Sequence, residues 1–240
     1  MNKSDVWKPK TMSMLGIVNA GSLAYKYLMS YNPSVLAKPT PIDIMDFATG
    51  YLNLDMTKGT MPHPLVEAFI TYEKGEFVDI YTDERLTISP GTIITNKDIQ
   101  DDIHKRYLIG HEAAHWLIFA ERADYLIQNK MRFSCCKDFS ERSDWRDMNR
   151  LSGYYKKEPH AELELYADSI ANDIFMPAFT FLHYAMSLLE KHGFDERVII
   201  EGYNNEAANE VIRKLAAKYV VPEYAVVNHL YKFGMYVKQN

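Results

Sequence analysis

The sequence predicts an α+β fold: a small mixed sheet packed on one interior helix, with further helices at the N- and C-terminal ends. Three observations predict it. Between Tyr107 and Ala120 a near-continuous apolar run surrounds a few polar residues on all sides, which marks an interior helix rather than a wet amphipathic one. Short apolar segments between Val66 and Thr95 are punctuated by Lys, Gly and Pro, as strands are. Ala161 to Pro177 is apolar over one broad helical arc and so has a face to bury.

With 240 residues, 47% hydrophobic and 25% charged, the chain can bury one substantial core. A net charge of -5 argues against a protein built chiefly to grip nucleic-acid backbone or anionic membrane. The two cysteines, Cys135 and Cys136, are adjacent. Neighbouring cysteines make a strained disulfide, so a reducing compartment, the cytoplasm, is expected. A pair of ordinary thiols explains them better than a second metal site. The apolar stretch Met12 to Leu28 is interrupted by Asn19, Ser22 and Lys26, too polar for a membrane span or signal peptide.

In chain order, residues 1–38 read as a mostly helical N-terminal extension. A helix over Met14 to Met29 covers a groove and ends in the Asn32 to Pro41 punctuation. Ile42 to Leu52 has helical spacing. Val66 to Tyr72 and Phe77 to Tyr81 read as two strands about a Lys74-Gly75 turn, and Thr92 to Thr95 as a third. Asn96 is the expected N-cap of the interior helix, with Asp98, Asp101 and Asp102 favoured by the helix dipole. That helix runs to about 121–123. A mixed-charge segment at about 125–158 reads as an insertion into a main domain spanning 39–180. Residues 181–240 form a C-terminal helical segment, with helices over Phe181 to Lys191, Asn205 to Tyr219 and Glu223 to Phe233.

The interior helix carries His111-Glu112-Ala113-Ala114-His115, an HExxH pattern. Histidines four apart share one helix face and can hold a zinc ion together, and a glutamate after the first is placed to take a proton from water there. Two histidines and a glutamate buried among apolar residues would cost several kcal/mol without a partner. A metal supplies one. Strands in this setting are useful, since a zincin-type site lies beside a sheet edge that can hold an extended peptide.

A catalytic zinc takes three protein ligands and keeps one position open. The metzincin pattern needs a glycine at 118 and a histidine at 121, but Ile118 and Glu121 stand there. Glu164, Asp168, His160 and Glu162 remain, with Glu121 and Asp124 behind them. Glu164 is favoured because it falls inside the apolar arc of the 161–177 helix, whereas Glu162 falls outside it. Asp168, one turn later, is a candidate to orient a ligating histidine through its second ring nitrogen.

The stretch HEAAHWLIF, followed by Glu164 to Ala171 and by Ile174-Phe175-Met176-Pro177, resembles the ImmA/IrrE family of zinc metallo-endopeptidases. There an HExxH helix is followed by a helix of the type ExxA(N/D)xFAxxLLMP whose first glutamate is the third ligand. Ile170, Ile174 and Phe175 replace Phe, Leu and Leu, and the segment between the two motifs is longer than expected. The resemblance covers about residues 40–180. It implies a zincin-like domain, one catalytic Zn2+, and a substrate: a repressor of the helix-turn-helix type, cut to release mobile-element or stress-response genes.

The expected roles are metal ligation by His111, His115 and Glu164 and proton transfer by Glu112. An oxyanion donor is sought among His160, Tyr166 and Arg106. The last two helices, joined by Val220-Val221-Pro222, could form a helix-turn-helix, though the turn lacks its usual glycine. An alternative reading follows, in which a structural or vestigial zinc site belongs to a regulatory module contacting DNA or a protein. Direct nucleic-acid binding and membrane association are not expected.

Overall fold

The computed structural model describes residues 19–61, 66–79, 82, 84–128, 160–194 and 196–237, without the side chains of 124–128 and 160–162. Most of the 125–158 segment, Cys135 and Cys136 included, lies outside them, as do the first residues of the predicted N-terminal helix. The architecture is α+β. Its helices are α1 (Ala20–Tyr31), α2 (Asp102–Gln128), α3 (His160–Phe175), α4 (Ala178–Lys191), α5 (Asn205–Tyr219) and α6 (Glu223–Lys232). Its strands are β1 (Asp55–Gly59), β2 (Ala68–Ile70), β3 (Gly75–Val78), β4 (Arg85–Ile88), β5 (Thr92–Asn96), β6 (Ile199–Ile200) and β7 (Tyr236–Val237).

The main sheet has the order β1-β5-β2, with β1 parallel and β2 antiparallel to the central β5. Period-2 alternation splits its residues between two cores. Ile70 and Ile93, partners in register, face the main core with α2, while Phe69 and Ile94 face a smaller cluster with Met61, Phe77 and Ile88. The hairpin expected about Lys74-Gly75 does not form: β2 pairs with β5, and β3 pairs with β4. The reason is burial. Phe69 and Ile70 are both covered, so β2 belongs in the sheet, and the β3–β4 ribbon lays Phe77 against Phe69 with ring centroids 6.1 Å apart.

The start of α2 also differs from expectation. Asp101, not Asn96, caps it: Asp101 Oδ1 accepts from the Ile103 and His104 amides at 2.8 and 3.1 Å. Asn96 instead turns the chain by accepting from Asp98 N at 3.0 Å. The helix leaves helical geometry at Arg122 (φ -139°, ψ 24°), within the region where the sequence places its end. The helix expected over Ile42 to Leu52 is shorter, 44–51, and is wound over Asp46–Tyr51 as a π-helix.

One core joins all three sequence segments. It runs from Ala20, Leu23 and Leu28 of α1 through Leu117 of α2 and Ile170 of α3 to Leu215 of α5 and Leu230 of α6. The boundaries drawn near 38 and 180 therefore do not separate hydrophobic cores. The α5–α6 pair is joined through Val220, a β-branched residue held left-handed (φ 54°, ψ 57°) where glycine would be unstrained. Its outward charges are partly neutralised: Glu210 pairs with Arg213 at 2.8 Å and Lys214 at 3.2 Å. Tyr224, in the first turn of α6, packs on Tyr107 with centroids 5.5 Å apart. Among the described residues, no helix is long and apolar enough to cross a membrane.

His229 of α6 is fully buried, donating from Nε2 to the Met176 carbonyl at 2.9 Å with Phe181 edge-on at 4.5 Å. Burial, aided by nearby Lys232, pushes its pKa down to about 3. The unfolded chain takes up this proton near the ordinary histidine value, about 6.5. Between those values the unfolded state binds more protons, so this residue's contribution to stability falls as pH drops below about 6.5. His229→Gln, which cannot titrate, is expected to lose less of its urea midpoint between pH 7 and 5 than the wild type. Asp173 Oδ1 lies 3.9 Å from the ring and is common to both proteins, so the comparison isolates the histidine. Equal losses would contradict the assignment.

Candidate metal centre

The site is set by two helices in register. Tyr107 Oη donates to Asn172 Oδ1 at 3.0 Å, His111 Nδ1 meets Asp168 Oδ1 at 2.8 Å, and His115 Nε2 meets Glu164 Oε2 at 3.4 Å. The contacts step by four residues along α2 and back by four along α3, so the helices run antiparallel with one turn matched to one turn. Gly110 permits the approach, because a Cβ there would overlap the Phe175 ring. Tyr107 stacks on that same ring at 5.7 Å.

At the end of this ladder three electron-rich atoms converge. His111 Nε2 lies 3.0 Å from His115 Nε2 and 3.1 Å from Glu164 Oε2. A carboxylate only accepts, so Asp168 fixes the hydrogen on His111 Nδ1 and leaves Nε2 as a lone pair in the neutral ring. Three mutually facing acceptors repel unless a cation or shared protons lie among them. Protons do this in the metal-free chain. Burial opposes a charged His111, but the hydrogen bonds to Asp168 and Glu164, with the nearby Glu112 and Asp168 charges, outweigh it and lift its pKa to about 10. Burial likewise disfavours an ionised Glu164, yet its hydrogen bonds to both histidines hold it well below the usual carboxylate range.

The set fits zinc. Nitrogen and oxygen ligands at about 2.0–2.1 Å in a tetrahedron stand about 3.3 Å apart, against the observed 3.0, 3.1 and 3.4 Å. Two imidazoles and a carboxylate are catalytic-type donors, and the Glu164 side chain is 44% exposed, so solvent reaches the centre. Glu112 is 7% exposed. Its burial raises the carboxyl pKa, while the two histidines and the Ile70 backbone N–H pull the other way.

That N–H belongs to the open edge of the sheet. Glu67 and Thr71 bond toward β5 through Asn96 N and Thr92 O, at 2.8 and 3.0 Å, so Ala68 and Ile70 turn their main-chain groups outward. Among the described residues no strand pairs on that side of β2. The sequence left open which strand is the edge beside the site; it is β2.

Those other sequence candidates whose side chains are described fall elsewhere. Glu121 is bound by Lys26 at 2.6 Å and Tyr27 at 2.9 Å. The side chains of His160, Glu162 and Asp124 lie outside the described residues. Arg106 donates to the carbonyls of Ile42 and Val220 and stacks over Phe175 at 4.9 Å. Five residues before His111, it projects about 140° away around the helix, so it is not brought to the centre. Tyr166 sits near Arg122 and Asp173, about 200° around α3 from Glu164.

Sequence reasoning missed Tyr72. Its ring packs on Trp116 at 6.2 Å and Phe119 at 4.8 Å. Burial raises its pKa well above the ordinary value, and the charges of Glu112 and Glu164 add to that. Its position as the last residue of the apolar segment Val66 to Tyr72 was the available signal. No family model matched the chain in a scan, and a search of curated proteins found no match.

Proposed function

We propose that the protein is a zinc-dependent endopeptidase of the ImmA/IrrE kind, acting in the cytoplasm on a helix-turn-helix repressor. The observation that carries this reading is the meeting of His111, His115 and Glu164 beside a buried Glu112 at an open strand edge. A zinc ion held by those three side chains would supply Lewis-acid polarisation of a carbonyl and acidify water.

The chain's own residues do the rest. The outward main-chain groups of Ala68 and the Ile70 carbonyl pair with an extended peptide and lay its scissile bond along the cleft, while the Ile70 N–H stays with Glu112. Glu112, whose burial raises the proton affinity of its carboxylate, takes the proton in its ionised form as water adds to the carbonyl carbon, then delivers it to the leaving amine. The products are a carboxyl and an amino terminus. Tyr72, whose ring packs on Trp116 and Phe119 of the HExxH helix, joins His160 as a candidate donor to the developing oxyanion in place of Arg106 or Tyr166. Asp168 holds His111 in the tautomer that directs a lone pair to the centre.

The test is incubation of the zinc-loaded chain with helix-turn-helix repressors from its own organism, read by mass spectrometry. One cut, abolished by a chelator and restored by zinc, is expected; every repressor intact, or a cut indifferent to chelation, opposes the reading. Asp168→Asn is expected to weaken zinc binding by about 10–100-fold in competition with a fluorescent chelator. Unchanged affinity would remove Asp168 from that role.

A further inference from the structure

A cavity of about 510 Å³ opens between β1, β5 and the first turns of α2, lined by none of the residues of the His111–His115–Glu164 centre. Ile44, Met45, Met56 and Ile109 give it an apolar floor. Lys58, Lys105 and Thr95 stand on its wall. Lys58 and Thr95 are partners across the β1–β5 ladder, so both project from one face of the sheet. Thr95 is fully buried, and its Oγ1 has no hydrogen-bond partner among the described residues. A buried hydroxyl without a partner calls for an explanation, and a bound group is one.

The charges point to what that group is. Burial lowers the pKa of Lys105, and the Lys58 amine within hydrogen-bonding reach lowers it further, against the pull of Asp102. Two ammonium groups drawn together are relieved by an anion between them. Arg106 also lines the cavity, but it is engaged with the Ile42 and Val220 carbonyls. Three cationic side chains stand against Asp43 and Asp102, leaving one net positive charge, which a single negative charge balances and a dianion would exceed. The volume is within the ordinary range for a small-molecule site.

We propose that this cavity binds a small amphipathic monocarboxylate, its head group between the Lys58 and Lys105 amines and the Thr95 hydroxyl, its apolar body over Met45, Met56 and Ile109. Binding there needs no metal at the other centre, so it is read in the metal-free chain and is separable from the peptidase reading.

The test is a titration of methyl-13C-methionine protein with octanoate, using octanol as the uncharged control. The Met45 and Met56 methyl signals are expected to shift saturably with octanoate, and octanol to bind more weakly by about tenfold. Lys58→Met is expected to weaken octanoate by a similar factor. Thr95→Val, which removes an unpaired hydroxyl, is expected to leave the ligand-free chain at least as stable as wild type yet weaken octanoate, so it serves if the lysine variant fails to fold. No saturable shift at the two methionines, equal affinity for octanoate and octanol, or octanoate affinity unchanged in Thr95→Val would overturn the proposal.

Discussion

Glu112→Gln is expected to bind zinc as the wild type does and to lose about 10²–10⁴-fold in cleavage rate, the usual share of general acid–base catalysis. The substitution is close to isosteric, and the site has little room to respond otherwise, since Glu112 is 7% exposed and Ala113 and Ala114 beside it are fully buried. Its amide oxygen can still accept from the Ile70 N–H that faces the carboxylate. The donor atoms of His111, His115 and Glu164 are untouched. What disappears is a group able to take up a proton and return it, so rate falls while metal content does not. The check pairs metal analysis of the purified variant with its cleavage rate. Cleavage at the wild-type rate would remove Glu112 from proton transfer, and a variant without zinc would show that Glu112 helps hold the metal.

The centre was legible in the sequence because helical spacing is rigid. His111 and His115 must share a face, and Glu164 had to be explained as a carboxylate on an apolar arc. The register that joins α2 to α3 was not legible in advance, because it depends on Gly110 admitting the Phe175 ring. Even so, the fixed turn-for-turn step made Asp168 follow from Glu164 once that register existed. Tyr72 escaped for the opposite reason: it comes from a strand end, and nothing local says which side chains a strand end will meet.

The sheet was read in part. β5 was anticipated, but β1 is an edge strand of the sequence Asp-Met-Thr-Lys-Gly, whose charged residues conceal any alternation, as edge strands often do. β4 alternates over only four residues, too short a window to separate from a loop. The α5–α6 pair shows that charge counted along a sequence need not lie on the surface. Two of its basic residues are taken up by packing: His229 is fully buried, and Lys232 reaches Asp173 at 2.6 Å.

Glu164→Ala bears most directly on the claim that three side chains from two helices share one zinc ion. The apparent binding energy of a complete zinc site is roughly 10 kcal/mol or more, so a third of it corresponds to about 10²–10³-fold in affinity. The Glu164 side chain is 44% exposed, so its truncation leaves the helix pair intact. After dialysis against a chelator of intermediate strength, metal analysis is expected to find one zinc per wild-type chain and a small fraction of that in Glu164→Ala. Equal zinc in the two proteins, or none in the wild type, would contradict the account.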